Sequence, residues 1–301
     1  MFKTTTLIHQ GYRKFSDQET SVTGFMVIQR EVISQSVEKY RRQQKPEAFE
    51  DLLAVEEPLE IRLGSGTDDD RSLSVTMRTP ENDLDLALGF LWTEGIIQNS
   101  ESVAKIQHSG TSTNVIRVQL SEDNKVDWDQ HSRHFYTTSS CGVCGKTSIE
   151  ALYQKSVFAD LASLCVDSEF IYSLPNRLLE IQKVFSRTGG LHAATLFSAK
   201  GAAEVVREDV GRHNALDKLI GWALQNEKLP LDQNIVLLSG RASFELIQKS
   251  YMAGLQIVVA IGAPSSLAVQ SARDLGITLI GFTKEDRFNI YCGNERIGES
   301  K

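Results

Sequence analysis

The chain has 301 residues, 41% of them apolar and 24% charged, a make-up that excludes the disordered, collagen-like and coiled-coil classes. At about 150 residues per domain it holds about two domains, with enough core to fold without disulfide staples. Its net charge of -7, from 32 basic and 39 acidic side chains, argues against a surface built for nucleic acid or anionic lipid and leaves room for a local basic pocket.

No apolar run approaches the ~18 residues of a membrane span, and MFKTTTLIHQGYRKF lacks the continuous apolar stretch of a signal peptide, so the reading is a cytoplasmic protein without membrane attachment. Up to about Glu57 the chain is rich in Gln, Glu, Lys and Arg and reads as a peripheral segment, part helix and part tail. Residues 58–79 alternate apolar and polar side chains, which predicts two strands, and Leu84, Leu88 and Leu91 then supply a helical stripe. SVAKIQH and NVIRVQL add two strands and complete a small α+β unit ending near Leu120. From Ser121 to Ser140 the chain turns polar, with His131 and His134, and predicts a loop or connector that leads directly to Cys141.

Beyond the cysteines the pattern changes. Thr147-Ser148-Ile149-Glu150 is a capping box that opens a helix. LHAATLFS and AAEVVRED are strand runs joined by a Lys-Gly turn, and Leu216, Leu219, Ile220, Ala223 and Leu224 mark an amphipathic helix. The strand NIVLLSG follows, then a helix with Ser243 as N-cap and Gly254 as stop, the strand QIVVAIGA, the helix SSLAVQSARDLG and the strand ITLIGF. Strands alternating with single helices predict a parallel sheet and an α/β fold. Open α/β sheets bind ligands beyond the carboxyl ends of their strands. Three such ends are Ser239-Gly240-Arg241, Gly262 to Ser266, and Phe282-Thr283-Lys284-Glu285-Asp286-Arg287. They suit a nucleotide-like anion, and they also serve as ordinary turns.

Four cysteines are too sparse for a disulfide scaffold, and Cys141-Gly142-Val143-Cys144 pairs two of them just before the predicted helix start. The helix dipole and Lys146 both favour thiolate there. Three chemistries compete. A zinc knuckle lacks a second closely spaced pair, since Cys165 and Cys292 stand alone, and the deaminase arrangement fails because Ala193-Ala194 follow His192 where a glutamate is needed. Thiol–disulfide exchange lacks its usual βαβ setting. Sulfur transfer through a persulfide suits an exposed thiolate beside a ligand crevice. Gly145-Lys146-Thr147 is not a phosphate-binding loop, because Ser140 stands where the pattern requires glycine. Cys165 and Cys292 read as core or incidental thiols. His192 reads either as a buried, hydrogen-bonded histidine or as an acid–base group. Arg207 to Asn214 reads either as a solvated loop capped by Asn214 or as a polar constellation at the crevice mouth.

At these residues the chain resembles the formate dehydrogenase accessory sulfurtransferase (FdhD) family. The likeness runs through SVTMRTP, LALGFLWTEGII, SSCGVCGKTSIEAL, TGGLHAATLF, REDVGRHNALDKLIG, LSGRASFELIQKS, GAPSSLAV and GFTKEDRFNIY, from about residue 55 to 295. It implies a sulfurtransferase that takes sulfur as a persulfide from a cysteine desulfurase. The sulfur passes to the bis(molybdopterin guanine dinucleotide) cofactor of formate dehydrogenase, for which a guanine nucleotide can stand in. Cys141 matches the persulfide carrier, Cys144 its partner, and Phe282, Thr283, Lys284, Glu285, Asp286 and Arg287 the cofactor-binding stretch. The implied layout is an extension over 1–54, a small α+β domain over 55–125, an active-site loop over 126–146 and, over 147–301, a three-layer α/β domain similar to the cytidine deaminase fold. A homodimer is also implied, with no nucleic-acid partner. A cofactor-binding chaperone with a structural cysteine pair is the alternative.

Overall fold

The computed structural model describes residues 30–64, 70–110, 112–122, 156, 158 and 161–299. Cys141, Cys144, His131, His134 and the predicted helix start at Thr147 lie outside the described residues.

The described chain opens with a hairpin of β1 (Val32–Lys39) and β2 (Glu47–Ala54). This replaces the expected helix and tail: β-branched Val32, Ile33 and Val37 favour an extended chain despite the polar composition. A four-stranded sheet follows, in the order β4-β3-β6-β5, from β3 (Glu57–Gly64), β4 (Arg71–Arg78), β5 (Val103–Ser109) and β6 (Ser112–Leu120). Leu59, Ile61 and Leu63 of β3 point inward and are at most 1% exposed, while Glu60 and Arg62 point out, as period-2 alternation requires. Helix α1 (Asp83–Thr93) covers the inner face.

The second sheet has six strands in the order β13-β12-β11-β10-β8-β9. Its strands are β8 (His192–Ser198), β9 (Ala203–Asp209), β10 (Asn234–Leu238), β11 (Ile257–Ala260), β12 (Thr278–Gly281) and β13 (Asn289–Cys292). A two-residue pair, β7 (Val166–Asp167) with β14 (Ile297–Gly298), lies apart from it. The expected parallel sheet is only its centre. β10, β11 and β12 are parallel, whereas β8 and β13 run antiparallel to their neighbours. The reason is connection length: β8 and β9 are joined by a tight turn at Lys200-Gly201, and β12 and β13 by a short loop, and neither link is long enough for a crossover.

Both faces of this sheet are covered. Ile235 and Leu237 face one core with Ile171, Leu174 and Leu178 of α2 (Ser168–Ile181). Val236 and Leu238 face the other, with α4 (Arg212–Gln225), α5 (Phe244–Met252) and α6 (Ser266–Asp274). Helix α3 (Phe185–Thr188) is a single turn. The second core also takes in Leu59, Ile61, Ile116 and Val118, so the small α+β unit and the large sheet share one apolar interior.

Their seam is the crossing of α1 on α4. Gly89 and Gly221 form it: a Cβ on Gly89 would fall 1.8 Å from the Asp217 carbonyl oxygen, and one on Gly221 would fall 1.9 Å from that of Asp85. Sandwiched in this way, α4 is buried nearly all round, and even Asp217 and Lys218 are only 2% and 1% exposed. Each is paired. Lys249 Nζ lies 2.9 Å from both Asp217 carboxylate oxygens, Thr93 donates to Asp217 at 2.9 Å, and Lys218 Nζ lies 2.7 Å from Asp209.

Candidate functional site

The site begins where the central strands end. Ser239, just after β10, donates its N–H to the Ala193 carbonyl (3.0 Å) and accepts the Ala193 N–H on Oγ (2.8 Å), which ties β10 to the start of β8. The next loops are then laced main chain to main chain. Gly262 N–H donates to Gly240 O and Phe282 N–H to Gly262 O, both at 3.0 Å. Ser265 N–H donates to Ala242 O at 3.0 Å, and Ser265 Oγ caps α6 by accepting from Ala268 N–H. Little room separates these loops. A Cβ on Gly262 would lie 3.0 Å from Gly240 O, and one on Gly240 would lie 3.1 Å from His192 Nδ1. The three strand ends therefore do come together, with His192, which the sequence left open between a packing and an acid–base role, among them.

Cations gather on this floor. His192 is half-buried, and desolvation followed by the neighbouring Arg212 and His213 holds its imidazole below the usual histidine range; Asp209 pulls upward and Arg241 downward. The Nε of Arg212 is buried with no hydrogen-bond partner among the described residues. His213, at the start of α4, places Nε2 3.2 Å from Ser243 Oγ and 3.7 Å from Glu245 Oε2. Burial would raise the Glu245 carboxyl, but hydrogen bonds from His213, its own backbone N–H and Ser243 outweigh it and bring the group down to about 2. Ser243 sits at the N-cap position of α5 as expected, yet its hydroxyl makes no cap bond. Sequence reasoning did not single out Glu245; its signal was the Ser-x-Glu spacing after a strand end.

The stretch from Phe282 to Arg287 divides in two. Thr283 is 1% exposed, and its hydroxyl donates to Ala260 O at 2.9 Å, so it anchors the loop from within. Phe282, Lys284, Glu285, Asp286 and Arg287 are exposed, with Asp286 and Arg287 3.8 Å apart. Phe282 has φ +53°, a left-handed backbone unusual for a bulky side chain, and the residue is 46% exposed.

The polar run Arg207 to Asn214 also divides. Arg207 donates to Asp85 at 2.8 and 3.0 Å, and Glu208 accepts the N–H groups of Val184 and Phe185. Asp209 accepts from Thr79 N–H and Gly211 N–H, and Asn214 bonds Met77 O. Arg207, Asp209 and Asn214 lock the seam and Glu208 holds the start of α3, leaving Arg212 and His213 beside His192. Cys165 is exposed, and the Cys292 thiol, raised chiefly by burial, lies 3.2 Å from Ile277 O, which fits a packing role. No helix among the described residues is long and apolar enough to cross a membrane.

The strand ends thus bring together the side chains of His192, Arg212, Arg241 and Phe282, while the amides of Gly262, Phe282 and Ser265 are taken by main-chain carbonyls. Known proteins resemble this chain in sequence and in fold. The sulfur carrier protein FdhD of Mycolicibacterium paratuberculosis is 50% identical over 256 residues, covering 82% of this chain and 92% of that protein. The protein of the same name from Sulfurisphaera tokodaii is 42% identical over 262 residues, covering 87% and 98%. The crystal structure of a formate dehydrogenase accessory protein from Desulfotalea psychrophila superposes with a TM-score of 0.71 at 26% identity, covering 89% of this chain and all of that one. The FdhD/NarQ family model matches residues 54–298, and with it these likenesses establish that the chain belongs to the FdhD/NarQ family.

Proposed function

We propose that the chain is a cytoplasmic sulfurtransferase that serves formate dehydrogenase. It receives sulfur on Cys141 from a cysteine desulfurase and delivers it to the bis(molybdopterin guanine dinucleotide) cofactor held in the crevice. The observation that carries this reading is the gathering of Arg212, His213 and Arg241 about His192 at the strand ends, with Arg212 Nε buried and without a partner among the described residues and Phe282 exposed on the adjoining loop. A dinucleotide pyrophosphate suits such donors, and a planar base suits an exposed aromatic ring. Lys284 and Arg287 extend the positive rim, and a guanine nucleotide would compete for the same place. The relatives' printed name, sulfur carrier protein, supports the cargo. The mixed sheet, with helices on both faces, supports a cytidine-deaminase-like reading of residues 147–301. The working form is a homodimer.

The chemistry balances on the two cysteines and an external thiol reductant. The Cys141 thiolate attacks the terminal sulfur of the donor's persulfide, forms a new S–S bond and releases the donor's thiolate. Once an acceptor is bound, attack by the Cys144 thiolate on Cys141 Sγ closes a disulfide and releases the terminal sulfur at the oxidation level of sulfide, the level a metal sulfido ligand requires. A thiol reductant reopens the pair. The alternative, a chaperone that binds cofactor without carrying sulfur, is separated by one substitution. Intact-protein mass spectrometry after incubation with desulfurase and cysteine should show a reductant-labile gain of one sulfur in the wild type and in Cys144→Ala, and none in Cys141→Ala. Formate dehydrogenase activity that survives in cells carrying only Cys141→Ala would establish the chaperone instead.

A further inference from the structure

The hairpin β1–β2 is the most open element among the described residues. β2 lies against α3, and Ala54 Cβ is 3.6 Å from where a Cβ on Gly190 would stand. No strand pairs with the outer edge of β1 among the described residues. The register sets Ile33 opposite Leu53 and Val37 opposite Phe49. All four side chains fall on one face of the ribbon, as two apolar pairs separated by the polar pair Gln35–Asp51. Ile33, Leu53 and Phe49 are 55%, 43% and 42% exposed. A two-stranded ribbon is marginal by itself in water, and an open edge beside an apolar face is a template for another strand.

The two edges differ in what they accept. β2 carries Glu47, Glu50 and Asp51 and is turned toward α3, so self-pairing there would oppose like charges. β1 carries the uncharged centre Ser34-Gln35-Ser36 between Ile33 and Val37. Its order of side chains is self-complementary in one antiparallel register, the one in which Gln35 faces Gln35 of a second copy. Ile33 then faces Val37 of the second copy, Ser34 faces Ser36, and each relation occurs twice by symmetry. A shift of one residue would set Ile33 opposite Glu38 and lose both apolar pairs.

We propose that β1 pairs antiparallel with β1 of a second copy of this chain, about a two-fold axis through Gln35, forming a four-stranded sheet with an apolar row, Ile33 against Val37 of the second copy, on either side of a polar row at Gln35. This deepens the homodimer of the proposed function by giving the contact its strand, register and axis, and it does not depend on sulfur chemistry.

The test uses the full chain. Gln35→Cys should form a disulfide-linked dimer under mild oxidation beyond any seen in the wild type, because directly opposed residues lie within the Cα separation a disulfide spans. Ala48→Cys, on the other strand, should not. Val37→Glu should raise the dimer dissociation constant at least tenfold by sedimentation, with an unchanged circular dichroism spectrum. A wild type that sediments as a monomer at micromolar concentration overturns both the homodimer and this contact. If the wild type is a dimer that neither cross-links at residue 35 nor weakens with Val37→Glu, the β1 pairing alone falls. A monomer whose β1 amides are protected from exchange assigns the edge to another segment of the chain, and overturns the proposal equally.

Discussion

Replacing Gly221 with alanine tests whether the seam between the two sheets is set by backbone contact. In an exposed helix interior this exchange stabilises, by about 1 kcal/mol of helix propensity. Here the new methyl would stand 1.9 Å from the Asp85 carbonyl oxygen, 2.7 Å from its carbon and 2.8 Å from Gly89 N, all of them main chain of α1. No side chain can rotate away. To reach the 3.4 Å of ordinary contact, α1 must retreat by about 1.5 Å. That loosens the interlocked core at Leu88, Leu216 and Leu219. Overpacking of this kind costs roughly 3 kcal/mol at the upper end of its usual range, so the net effect after propensity is a loss of about 2 kcal/mol. Thermal unfolding followed by circular dichroism should show Tm falling by about 4–8 °C. Because α4 begins with Arg212 and His213, binding of a guanine nucleotide to the folded variant should weaken as well. A Gly221→Ala protein as stable as the wild type, or more so, would refute the reasoning.

Two further outcomes follow from the crevice. Glu245 has its carboxyl at about 2 in the folded chain, below the usual ~4.3 of an unfolded one, so its contribution is complete above about pH 5 and is lost as pH falls toward 2. The stability gap between wild type and Glu245→Gln in urea titrations should therefore close over that window, and a gap independent of pH would remove the His213–Glu245 contact from the account. Phe282→Gly relieves a left-handed backbone that costs about 1–2 kcal/mol for a side-chain residue and deletes the exposed ring. Thermal stability should hold or rise while guanine-nucleotide affinity falls; unchanged affinity would deny the ring a role in binding.

Much of this architecture is written locally. The alternation Leu59, Ile61, Leu63 marks a half-buried strand, and the unbroken apolar run of β10 marks one covered on both faces. The strand ends that form the crevice could be named for the same reason. What escapes local reading depends on residues distant in sequence. Arg207 and Asp209 look like neighbours of Arg212 and His213, yet their partners Asp85, on α1, and Thr79, just after β4, come from the small α+β unit, and no spacing announces that. Helix α2 carries a recognisable ridge at Ile171, Leu174 and Leu178, which Pro175 in its interior disguises. The hairpin escapes because its faces are polar or exposed, so no buried periodicity marks it.

The lacing of Gly240, Gly262 and Phe282 through their own amides has a consequence for selectivity. Loops that satisfy one another's main chain have no reserve of motion to spend on adapting to a guest. The floor of the proposed crevice is a preset mould, with its ordering entropy already lost when the chain folds, so a fitting ligand would bind it without a further ordering cost. Ligands that differ in shape are then rejected by mismatch with a fixed surface, and recognition is decided by the mould's outline and its charges.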